Sequence, residues 1–111
     1  MPYDPALLER SRAILAGTPN LSETKMFGGI AFMLRGNMAC GLMSDGGFMV
    51  RVHPDQTEAV IARPHSRVMV QKNRQMRGFI LIDPAGVASD TDLREWIRLG
   101  MEHTATLPAK A

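Results

Sequence analysis

Between Met26 and Val52 the chain alternates apolar side chains in three short runs, each closed by turn chemistry. A period of two sends successive side chains to opposite faces, which is how a strand presents itself. Arg35-Gly36-Asn37 and Ser44-Asp45-Gly46-Gly47 supply residues that accept the positive φ demanded by tight hairpin turns. The stretch therefore reads as a three-stranded meander. In the first strand Ile30, Phe32 and Leu34 share one parity and Ala31 and Met33 the other, so it is apolar on both faces. The second is too, with Met38, Cys40 and Leu42 opposite Ala39, Gly41 and Met43. The third places Phe48, Val50 and Val52 on one face and Met49 and Arg51 on the other, so Arg51 marks the wetter side.

The meander opens on Met26-Phe27-Gly28-Gly29. Glycine orders at high entropic cost and packs nothing, so a pair at a strand start marks a bulge or a close backbone approach. Phosphate-binding loops also use glycines, but between a strand and a helix N-terminus, with Gly-Lys-Ser/Thr following. Here more strand follows. Gly28 and Gly29 read as a packing device against the first helix or an adjacent strand.

Upstream, Asp4 is placed to cap a helix and Pro5 suits its first position. Leu7, Leu8, Ile14 and Leu15 lie on one face of this helix, Glu9, Arg10 and Arg12 on the other, and Gly17 and Pro19 stop it. Residues 20–25 read as a short polar link. Downstream, His53-Pro54-Asp55 opens a short second helix, anchored by Val60 and Ile61 and limited by Pro64. Two strands follow, 67–70 and 79–82, joined by a basic loop over 71–78 that ends on Gly78; 83–86 is a turn. Ser89 or Asp90 caps the last helix, where Leu93, Trp96, Ile97, Gly100 and Met101 recur at helical spacing. The order α-β-β-β-α-β-β-α predicts an α+β, two-layer fold with an antiparallel-rich sheet and helices on one face. One domain accounts for residues 1–111, with a core over 4–103 and a fraying tail over 104–111.

Composition excludes more chemistry than it suggests. An apolar share of 45% and a charged share of 22% are those of an ordinary globular chain. No run approaches the roughly 18 apolar residues of a membrane helix, and Met1-Pro2-Tyr3-Asp4-Pro5 lacks the pattern of a signal peptide. A cytoplasmic location without membrane contact is expected. Cys40 stands alone, so no intramolecular disulfide forms, and its apolar surroundings make it a buried thiol rather than a nucleophile. Of His53, His65 and His103 no pair has the i, i+4 spacing of a zinc site. His53 begins one helix and His103 ends another, where a charged ring would favour the helix dipole. Asp45 and Asp83 belong to turns, and Asp90, Asp92 and Glu95 cluster where a helix start favours anions. Ser11, Ser22, Ser44 and Ser66 lack a nucleophile elbow. The expectation is no catalytic residue, no metal ligand and no cofactor.

Two features remain. Nine methionines are many for this length, and Met26, Met33, Met38, Met43 and Met49 all fall in the meander. Flexible thioethers fill irregular cores and also make adaptable binding surfaces. With strands apolar on both parities, either helices of the same chain cover the second sheet face or a second copy does, as a homodimer. The other feature is a run of Arg63, Arg67, Lys72, Arg74 and Arg77 with no carboxylate among them. It reads as a solvated basic loop. The alternative is weak, salt-dependent contact with nucleic-acid phosphates. The run has no aromatic before Phe79 for base stacking, and a formal charge of +2 is too mild to argue for nucleic acid by itself.

Taken in order, Met26-Phe27-Gly28-Gly29, the turn at Gly36, Val50-Arg51-Val52 ahead of a short helix, and Leu93-Arg94-Glu95-Trp96-Ile97 resemble the N-terminal domain of the TfoX/Sxy family. The likeness spans Leu7 to His103, and the chain looks like a stand-alone member without the family's helical C-terminal domain. The resemblance implies a fold and a regulatory label, since TfoX/Sxy proteins are associated with natural competence in bacteria. It implies no catalytic residues. The expectation is a non-enzymatic regulatory domain that acts by protein–protein contact, with a protein partner or as a homodimer. A weak nucleic-acid-binding accessory domain using residues 63–77 is the alternative, and a small-molecule enzyme the third.

Overall fold

The structure, a computed structural model, describes residues 3–26 and 28–109; Phe27 of the opening tetrapeptide and the extreme ends of the chain lie outside it. Pro5–Leu15 form α1, whose N-terminus is closed by the Asp4 carboxylate accepting from the Ala6 N–H at 2.9 Å. Its buried face is Leu7, Leu8, Ser11 and Leu15, and the Ser11 hydroxyl is satisfied by donating to the Leu7 carbonyl. Six strands follow in an antiparallel sheet: β1 (Leu21–Met26), β2 (Gly29–Leu34), β3 (Asn37–Leu42), β4 (Phe48–Arg51), β5 (Ser66–Gln71) and β6 (Arg74–Ile82). Their spatial order is β1-β2-β3-β4-β6-β5. Between β4 and β5 a 3-10 turn, Pro54–Gln56, leads into α2 (Thr57–Ile61). After β6 a second 3-10 turn, Pro84–Val87, leads to α3 (Asp90–Ala105), where Ser89 accepts from the Asp92 N–H.

The fold is α+β with the helices on one face, and its order is α-β-β-β-β-α-β-β-α. The additional strand is β1, which occupies the segment read as a polar link. Leu21-Ser22-Glu23-Thr24-Lys25-Met26 has no apolar alternation because it is an edge strand, exposed on both faces through its middle. Pairing with β2, from Leu21 opposite Leu34 to Met26 opposite Gly29, makes it a strand. Arg12 of α1 then reaches Glu23 at 2.8 Å and holds its carboxyl below the usual range by hydrogen bonding.

A second correction concerns residues 71–78. They form no loop: β5 runs to Gln71 and β6 begins at Arg74, joined by Lys72 and Asn73 at φ of 50° and 62°. Two successive positive φ values make a tight hairpin turn of the type that follows strand twist.

Cross-strand register separates the two faces cleanly. Glu23, Phe32, Cys40, Val50, Ile80 and Val68 form one row across all six strands. The row beside it is Thr24, Ala31, Gly41, Met49, Leu81 and Arg67, pointing the other way. The core joins the first face to the helices: Phe32, Phe48, Val50, Ile80 and Ile82 pack with Leu7 of α1 and with Leu93, Trp96 and Ile97 of α3. Ala31 and Met49, though buried, belong to the other face and not to this core. Among the described residues no helix covers that second face, so the covering by the chain's own helices is not the one observed. No helix among the described residues is long and apolar enough to cross a membrane.

Of the landmark glycines, Gly28 lies in the turn before β2 at φ 77° and Gly29 opens β2 where it meets β3. A Cβ at Gly29 would lie 2.0 Å from the Leu42 carbonyl oxygen, so the backbones approach too closely for any side chain there. Residues 105–108 are tied down: Arg35 donates to the carbonyls of Ala105 and Leu107, and Asn37 to that of Pro108.

Candidate functional site

The helix-free face of the sheet carries a groove of about 350 Å³ that touches residues of all six strands. Its lining includes Met26 of β1, Met38 of β3, Met43 just beyond β3, Met49 of β4, Met69 of β5 and Met76 of β6. Ala31 and Gly41, opposite each other in register, are the small residues along its middle. Phe79 adds the one aromatic ring, and Ser44 and Gln71 the polar side chains. None of the lining residues is charged. Apolar walls with few polar groups are typical of binding grooves, and thioethers on flexible stems adapt to irregular partners.

One wall of the groove is a hairpin arm. Val68 pairs with Ile80, but the next residue, Met69, pairs with Met76, leaving Arg77, Gly78 and Phe79 unmatched on the β5 side. Such a bulge bends the strand and re-aims its side chains. β4 ends at Arg51, opposite Phe79, and after one more backbone bond, from the Val52 N–H to the Gly78 carbonyl at 2.7 Å, the ends of β5 and β6 pair with each other. The arm's Met69, Gln71 and Met76 line the groove. Its base is pinned by a buried hydroxyl: Thr57 Oγ1 donates to the Pro54 carbonyl at 2.7 Å and accepts from the Gly78 N–H at 2.9 Å. Arg77 also forms an ion pair with Glu58, holding that carboxyl below its usual range.

The basic run divides. Arg63 pairs with Glu95 at 3.3 Å and lies over the Trp96 ring, Arg67 pairs with Asp83, and Arg77 pairs with Glu58. Among the described residues only Lys72 and Arg74 of the run, at the tip of the arm, have no carboxylate partner. The five cations are therefore not one phosphate-binding surface. The carboxylates that neutralise three of them come from α2, the 83–86 turn and α3, where no reading of the run alone would find them.

The remaining candidates do not assemble. Cys40 is fully buried, and burial pushes its thiol up to about 12, so it stays protonated. Folding brings His53 and His103 together edge to face, ring centroids 5.8 Å apart. His53 Nδ1 is committed to the Asp55 N–H as a helix cap. His103 is shifted downward, first by desolvation and then by Arg51 and His53, so the charged form expected from its place at a helix end is not favoured. His65 lines a smaller cavity of about 150 Å³ whose Arg63 and Glu95 are spent on each other. Among the described residues no group of three or more His, Cys, Asp or Glu is placed to hold a metal ion. Of the signature residues, Met26 and Gly29 line the groove, Gly36 forms the β2–β3 turn at φ 84°, and Trp96 is buried against the sheet.

Four of the five methionines singled out in the meander line the groove; Met33 does not. Met69 and Met76 were missed because they belonged to a strand end and a supposed loop. The signal was present in the alternation Met69, Gln71, then Arg74, Met76 across a Lys-Asn turn.

A family model described as TfoX N-terminal domain matches residues 13–104. No curated protein and no solved structure matches the chain.

Proposed function

Because the chain belongs to the TfoX N-terminal domain family, we propose that it is a non-enzymatic interaction domain that binds a protein partner through the methionine-lined face of its sheet, in a regulatory setting. One observation carries the reading: a groove of about 350 Å³, lined by six methionines and crossing all six strands, lies on the face that no helix of the described chain covers. A concave surface walled by flexible apolar side chains with few polar groups is the kind of surface that adapts to a partner. Every strongly shifted ionisable group has a structural partner or is simply buried, which favours binding over acid–base chemistry.

The test is affinity capture from the native host with three baits: the wild-type chain, Met69→Gln/Met76→Gln on the arm, and Arg98→Gln on the opposite, helical side. Wild type and Arg98→Gln are expected to retain the same protein, and the arm variant to lose it. Retention by all three would refute the groove as the binding surface.

A further inference from the structure

The chemistry of the partner follows from the rim of the groove, an inference that rests on the groove being the binding surface. Six arginines are neutralised by carboxylates: Arg10 by Asp90, Arg12 by Glu23, Arg63 by Glu95, Arg67 by Asp83, Arg77 by Glu58, and Arg98 by Glu95 and Glu102. Arg35 donates to backbone carbonyls instead. Among the described residues this leaves Arg51, Arg74 and Arg94 with no carboxylate, and two of these three stand at one end of the groove. Arg51, the last residue of β4, holds its guanidinium 5.5 Å from the centroid of the Phe79 ring, which lines the groove. Arg74 begins β6 directly opposite Gln71, another lining residue, with Lys72 in the turn beside it. At the other end of β4 the turn carries Asp45, next to the lining Ser44, with its carboxylate already accepting from the Gly47 N–H at 2.9 Å.

An uncharged apolar groove with cations at one end selects for negative charge there. A second copy of this chain is a poor match: it offers Asp45 against Arg51, Lys72 and Arg74, on a molecule of net charge +2. We infer that the occupant is an acidic protein segment, laying an apolar face along the methionines and presenting carboxylates to Arg51 and Arg74. Guanidinium groups suit this role because their planar forks take carboxylates in bidentate fashion.

Methionine-methyl NMR on the full chain tests it, with two synthetic helical peptides as probes. Both carry the same leucine face; one is flanked by glutamates and the other by lysines. The glutamate peptide is expected to shift the methyls of Met49, Met69 and Met76 but not that of Met101 on α3, and to bind about tenfold more tightly than the lysine peptide at low salt. The gap should close as salt rises. Arg51→Gln/Arg74→Gln should abolish the preference while leaving the methyl shifts in place, and Arg74→Gln alone, on the exposed arm, should remove part of it. Equal affinity for the two peptides overturns the acidic partner and leaves the groove reading intact. No methyl shift with either peptide overturns both. Shifts that follow protein concentration alone assign the groove to a second copy. Shifts with octanoate and not with the glutamate peptide assign it to a small anionic amphiphile; either result overturns the inference.

Discussion

Replacing Gly100 by alanine sets two effects of opposite sign against each other. In a helix interior alanine is favoured over glycine by about 0.8–1.0 kcal/mol. At this position, however, the new Cβ would lie 2.5 Å from the carbonyl oxygen of Ala39 and 3.3 Å from its carbon. Carbon–oxygen contacts settle at about 3.3 Å or beyond, so α3 would have to lift by roughly 0.8 Å. Ala39 is the residue skipped where the β2–β3 register shifts, but Met38 and Cys40 on either side of it are held by Met33 and Phe32, and Cys40 also by Val50, which limits how far its carbonyl can yield. The lift would loosen Leu93, Trp96 and Ile97, all buried against the sheet. A gap of about 0.5–1 Å forfeits a quarter to a half of each dispersion contact. Overpacking typically costs about 1–3 kcal/mol, and with a backbone atom as the obstacle the upper half of that range applies. The net expectation is a loss of about 1–2 kcal/mol, or about 5–10 °C in Tm for a domain of this size. Urea unfolding followed by Trp96 fluorescence measures it, with an unchanged m-value showing that the unfolded state is not the source. A Gly100→Ala protein as stable as wild type, or more so, would mean that helix propensity wins and that α3 does not approach β3 as closely as described.

Three other sites and one binding property give further expectations. Thr57→Val leaves the buried Gly78 N–H without an acceptor and should cost about 1–3 kcal/mol in chemical denaturation; Thr57→Ser, which keeps the hydroxyl, should recover most of it. Gly29→Val should lower Tm sharply, because its Cβ has only 2.0 Å to the Leu42 carbonyl oxygen, and an unchanged melt would remove the close approach of β2 and β3. His103 is depressed below its ordinary 6.5, chiefly by desolvation, so the unfolded chain takes up a proton before the native one does. Its contribution to stability is therefore complete above about pH 6.5 and lost as pH falls through the depressed native value; His103→Gln should flatten the stability profile below pH 6.5. With Lys72 and Arg74 the only cations of the basic run lacking carboxylate partners, any DNA binding through it should show a log K against log salt slope of about −2, and a gel-shift series giving about −5 would contradict the pairing of the other three.

How far the fold could be read depended on whether a segment's cause was local. The β2–β3–β4 meander, the Asp4 cap, the Ser89 cap and the apolar stripe of α3 are written in short-range pattern, and the structure reproduces them. β1 is not, because Ser22, Glu23, Thr24 and Lys25 are polar and exposed, and their strand conformation comes from pairing with β2. The β5–β6 hairpin hid for another reason: its turn uses Lys72 and Asn73 at positive φ without a glycine to announce it. The basic run misled because charge was read along the chain, whereas its neutralising partners Glu58, Asp83 and Glu95 arrive through the fold.

The candidate site was half legible, and the missing half is the more informative one. Methionine-rich strands signalled an adaptable apolar surface, but not which face it occupied. On the helical face the strands present Ile30, Phe32, Leu34, Leu42, Phe48, Val50, Ile80 and Ile82, whose shapes suit fixed packing, and no methionine. On the other face the same strands present Met26, Met38, Met49, Met69 and Met76 around Ala31 and Gly41. Both faces share one backbone and one register, so strand propensity cannot account for the difference. Packing cannot either, since a finished core gains uniqueness from branched and aromatic side chains and loses it to flexible ones. The segregation makes sense if one face meets the chain's own helices in a single arrangement and the other meets something that arrives later.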